Sequence, residues 1–69
     1  MIEVFKTNVQ EKHQAKKIIG LLQQHFPGSK INFDLEDCDK VLRIDSQCIT
    51  AADVINTVKA TGFMCEELE

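Results

Sequence analysis

INFDLEDCDKVLRID, residues 31–45, decides the fold. Ile31, Phe33 and Leu35 alternate with Asn32, Asp34 and Glu36, which is the period of a strand with one face on a core. Residues 41–45 return as a second strand, with Leu42 and Ile44 inward. Between them Asp37-Cys38-Asp39 supplies a tight connection, since an aspartate side chain readily bonds its own backbone. A short link and matched lengths make this an antiparallel hairpin.

Upstream, Ile2 and Val4 alternate with Glu3 and Phe5, so residues 2–7 read as a first strand. Asn8 is a good helix N-cap, and Glu11 follows at capping-box spacing. Ala15, Ile18, Ile19, Leu22 and Phe26 then recur on one helical face, with Lys12, Lys16, Lys17, Gln23 and Gln24 on the other. Pro27-Gly28 ends that helix. Downstream, Thr50 caps a second helix with Asp53 at N3, where a carboxylate favours the positive end of the dipole. Ile49 and Val54 have the spacing of a hydrophobic staple. Ala51, Val54, Ile55 and Val58 form the stripe to be buried, and Gly62 is the expected C-cap. Residues 63–68 read as a last strand, with Phe63 and Cys65 on one face.

The order is βαββαβ. Right-handed crossovers then give an α+β, ferredoxin-like fold: a four-stranded antiparallel sheet with two helices on one face. This topology places three segments at one end of the molecule, residues 7–13, 37–39 and 61–62. Cys48 falls at the opposite end.

Bulk composition narrows the function. The chain of 69 residues is expected to form a single domain over 1–69. A domain this small buries only about 60% of its unfolded surface. The net charge of −3 argues against nucleic acid, whose binders carry excess Lys and Arg to neutralise phosphates. No apolar run approaches the ~20 residues of a membrane span, and MIEVFK does not read as a signal peptide. Cys38, Cys48 and Cys65 are odd in number with no CxxC pair, which favours free thiols in a reducing cytoplasm. A monomer is expected.

The element order, the Leu22-to-Pro27-Gly28 helix exit, the residue 31–44 hairpin and the ending ATGFMCEEL together resemble the heavy-metal-associated domain family. That family includes small copper chaperones and the metal-binding domains of P-type ATPases. The resemblance spans nearly the whole chain and implies the same ferredoxin-like fold. It also implies a Met-x-Cys-x-x-Cys loop opening the first helix. Here Val9 stands at the Met position, and Glu11 and Gln14 stand at the two Cys positions. A register shifted by one puts His13 at the second. Neither register holds the thiolate pair that suits Cu(I), so the copper-chaperone activity is not expected from this loop.

The remaining candidates each have a bland reading and a sharper one. Glu11 fits a capping box. His13 lies off the apolar stripe, where a solvated surface role competes with metal binding or pH sensing. Residues 34–39 crowd four carboxylates and a thiol onto one hairpin. Solvated turn acids would account for them. A cation site would use Cys38 with Asp37, Asp39 and His13, a mixed ligand set suited to a divalent ion such as Zn²⁺. Phe5 on the open face of the sheet could stack on a base, although ordinary packing is the simpler account. Cys65 reads as a small core residue. No Ser-His-Asp or Cys-His arrangement and no phosphate-cradling glycine loop is present, so an enzyme is not expected. Two readings remain. In one, the chain is a protein-interaction module whose Glu11, Glu36, Asp37 and Asp39 meet a basic patch on a partner, with no cofactor. In the other, it binds a divalent metal ion.

Overall fold

The computed structural model describes residues 2–47 and 49–68, so Cys48 lies outside the described residues. Six elements follow in order: β1 (Ile2–Thr7), α1 (Lys12–His25), β2 (Lys30–Asp34), β3 (Val41–Asp45), α2 (Ala51–Lys59) and β4 (Cys65–Glu67). The strands form one antiparallel sheet in the order β2-β3-β1-β4. This is the ferredoxin-like arrangement, with β2 and β4 at the two edges. Among the described residues no helix is long and apolar enough to cross a membrane.

Register determines which side chains share the core. Phe33 lies opposite Leu42, and Leu42 opposite Phe5. Directly opposed residues face the same side of a sheet, so these three line one face, joined by Ile31 and Ile44 one pleat further on. Phe5, Leu42 and Ile44 are fully buried there against Ile18 and Leu22 of α1 and Val54 and Val58 of α2. Both helices therefore cover the same face. The other face carries Lys30, Asn32, Asp34, Arg43 and Asp45, all exposed.

The hairpin, both apolar helical stripes and the α2 start follow the sequence closely. Thr50 caps α2, its hydroxyl accepting from the Asp53 N–H at 3.3 Å. Ile49 and Val54 are both buried in the core, as a staple requires.

Four details depart from the expectation. Phe5 is not on the open face of the sheet: it is fully buried under the helices, and no base could reach it. The α1 N-cap is Glu11 rather than Asn8, and Gln14 rather than Glu11 stands at N3. The C-cap of α2 is Ala60; Gly62 comes two residues later, at a φ of 95° that favours glycine. Finally, β4 is only three residues long, and Phe63 packs against the core from the loop before it.

Candidate functional site

At one end of the sheet three loops are joined through Thr7 and Asn8. Strand alternation from Phe5 turns this threonine inward, and it is buried. Its N–H donates to the Asp39 carbonyl at 3.0 Å. Its hydroxyl donates to the Lys40 carbonyl at 2.6 Å and accepts from the Val9 N–H at 3.3 Å. A single side chain thus links the end of β1, the β2–β3 hairpin and the loop into α1. Asn8 makes the third connection, its side-chain oxygen accepting from the Met64 N–H at 2.8 Å. Val9 is fully buried beneath them. The loop after β1 is therefore hydrogen-bonded to the hairpin and, through Met64, to the segment leading into β4, whereas residues 61–62 bond, among the described residues, only within their own turn, to Val58 and Lys59.

The acidic hairpin is ordered by its own aspartates. Asp37 accepts from the Asp39 N–H at 2.8 Å, and Asp34 accepts from the Glu36 N–H at 3.2 Å. Both are the local side-chain-to-backbone bonds expected of turn aspartates. Lys40 closes the turn in the left-handed region, at a φ of 47°, and its ammonium donates to the Leu35 carbonyl at 2.8 Å. The side-chain ends of Asp37, Cys38 and Asp39 lie within 4.8 Å of one another. Asp37 and Cys38 are exposed and Asp39 is half-buried. Lys6 approaches Asp39 at 3.9 Å, a solvated pair of little energetic weight.

His13 is not part of that cluster. Its Nδ1 stands 3.7 Å from the Glu11 carboxylate, with both side chains largely in water. The Glu11 N–H in turn donates to the Gln14 side chain at 3.3 Å. Glu11 and Gln14 thus belong to the closure of the helix start, and His13 extends outward beside them. The hairpin cluster and the α1 start are separate groups of side chains at one end of the molecule.

The two described thiols have opposite surroundings. Cys38 is exposed on the hairpin. Cys65 lies opposite Thr7 in the sheet and is buried. Burial pushes its thiol up from the ordinary 9.0 to about 11, with Lys59 pulling weakly the other way. It is a protonated core residue, as its alternation with Phe63 suggested. Thr7 and Asn8 were not singled out as positioning residues by sequence. The available signal was the inward phase of β1, which places Thr7 under the helices once Phe5 is known to point there.

No protein-family model, curated protein or solved structure matches this chain.

Proposed function

We propose that this chain is a non-catalytic protein-interaction module of the cytoplasm, similar to a heavy-metal-associated domain but without its thiol pair. Its docking surface is the acidic end, with Glu36, Asp37 and Asp39 on the hairpin and Glu11 at the neighbouring helix start. The carrying observation is the Thr7 clasp. Two backbone carbonyls of the hairpin, those of Asp39 and Lys40, are held by one buried residue. Acidic groups fixed in this way meet a partner with less ordering entropy to lose, and their charge selects a basic patch. The positions that resemble the family's thiols are occupied by a Glu11–Gln14 hydrogen bond that satisfies the helix start. This supports a domain that keeps the fold's docking end without the copper chemistry.

The test uses a lysine-rich peptide as a stand-in for the basic partner, titrated into the chain and followed by amide NMR. Saturable shifts confined to residues 7–14 and 36–40 are expected. Reversal of Asp37 and Asp39 to Lys should abolish them, and Cys38→Ser should leave them nearly intact. Equal shifts in the reversed-charge variant would count against this surface.

A second reading draws on the convergence of Asp37, Cys38 and Asp39 within 4.8 Å, which favours a divalent cation. Titration with Zn²⁺ separates the two readings, because Cys38→Ser should then abolish the metal-induced shifts while the peptide response survives. His13 lies outside this cluster, so His13→Gln should alter neither response.

A further inference from the structure

β2 is an edge strand, and its sequence is complementary to itself. Lys30, Ile31, Asn32, Phe33 and Asp34 face β3 on one side only. We propose that two copies of this chain pair through their β2 edges, antiparallel and centred on Asn32, to make one continuous eight-stranded sheet.

The argument rests on what that register brings together. Antiparallel pairing about Asn32 sets Lys30 opposite Asp34 of the second copy, and Asp34 opposite its Lys30. Ile31 meets Phe33 and Phe33 meets Ile31. Asn32 meets itself, and an amide carries both donor and acceptor. All five cross-strand pairs are of favourable types: opposite charges, aromatic with β-branched, and amide with amide. The charges fall on the open face and the apolar pairs on the helix-covered face, as the pleat requires. Parallel pairing in register would instead oppose Lys30 to Lys30 and Asp34 to Asp34.

Within one chain Lys30 lies opposite Asp45 of β3 and Asp34 accepts from the Glu36 N–H. Among the described residues, neither Lys30 nor Asp34 has an ion-pair partner. Ile31 and Phe33 are only partly buried. Beside them an apolar groove runs between α1 and β2, floored by Ile19, Phe33 and Leu35 and rimmed by Lys12, Lys16 and Glu36. A second β2 laid along this edge covers that floor. The opposite edge lacks these properties. β4 is three residues long, and pairing it with itself about Glu66 sets Glu66 against Glu66. Of the two edges described, β2 is the one suited to a copy of itself; its groove meets the acidic end at Glu36, and neither Lys30 nor Asp34 bonds to Thr7. The pairing goes beyond the docking function proposed above and does not depend on it; it also replaces the monomer expected from sequence.

Sedimentation equilibrium of the purified chain, from micromolar to millimolar concentration at low salt, reads the association directly. A concentration-dependent dimer is expected. Lys30→Asp and Asp34→Lys should each weaken it by roughly tenfold or more, because each replaces two attractive pairs with two repulsive ones. Both positions are exposed, and amide NMR spectra check that each variant is folded. Mixing the two single variants should restore association as a heterodimer, since each supplies the charge that the other has reversed. The double variant, carrying Lys30→Asp and Asp34→Lys together, should pair with itself about as well as the original. A chain that stays monomeric throughout overturns the proposal. So does a dimer indifferent to the single reversals, or one that neither mixing nor the double variant restores.

Discussion

The two ends of the sheet are finished differently. At the end that carries the acidic hairpin, three loops are hydrogen-bonded through Thr7 and Asn8 over a buried Val9. At the other end α1 runs out through Phe26, Pro27 and Gly28, and an open cleft separates that exit from Asp45, Ser46 and Gln47. The Ser29 hydroxyl there is buried without a hydrogen-bond partner among the described residues. Polar groups at the first end work as connectors between segments distant in sequence. At the second end, the Ser29 hydroxyl is enclosed without such a bond among the described residues. At the first end, long-range side-chain bonds hold the loops in place.

The comparison can be broken hardest through Cys65, which sits opposite Thr7 at the ordered end. Its folded pKa is raised, so the neutral thiol is the form that the fold favours. The associated stability is complete below the ordinary value of 9.0 and is lost as pH rises toward about 11. The loss across that window amounts to about 3 kcal/mol. Urea unfolding from pH 8 to 11 should show the fall, and Cys65→Val should flatten it. An identical slope in both proteins would assign the effect to the lysines.

A slightly smaller effect is expected from Thr7→Val, which keeps the shape and removes the hydroxyl. The Lys40 carbonyl and the Val9 N–H lose their partner together, at a cost of about 2 kcal/mol in the same unfolding measurement. Amide exchange should speed up in residues 8–10 and 37–40 well before it does in α2. Uniform acceleration across the chain would show that Thr7 serves overall stability rather than this end in particular.

The smallest effect sharpens the contrast from the other side. Ser29→Ala removes a buried hydroxyl that has no described partner, so stability should stay within about 0.5 kcal/mol or rise slightly. A large loss there would mean that the far end is as tightly connected as the near one.

Much of this architecture is legible in the sequence because the signals are local. The residue 31–45 alternation, the Ala15–Ile18–Leu22 stripe and the Thr50–Asp53 cap each need only neighbours a few positions away. Their physics is the side-chain period of a strand or helix and the unsatisfied amides of a helix start. The start of α1 misled because Asn8 and Glu11 also satisfy a capping pattern locally. In the folded chain Met64, 56 residues away, uses the Asn8 oxygen, and the helix begins three residues later than that pattern suggests. The candidate site was legible in part. The convergence of Asp37, Cys38 and Asp39 follows from adjacency on one turn, but the separation of His13 from them does not.

The sequence by itself determined the order of the elements, the inward faces of β2, β3 and both helices, and the acidity of the hairpin. Each depends on periodicity or composition within one segment. The tertiary structure alone decided that Phe5 and Thr7 point under the helices and that Thr7 ties the hairpin to β1. The phase of β1 and the bonds of Thr7 are set by packing between segments distant in sequence, which no local pattern encodes.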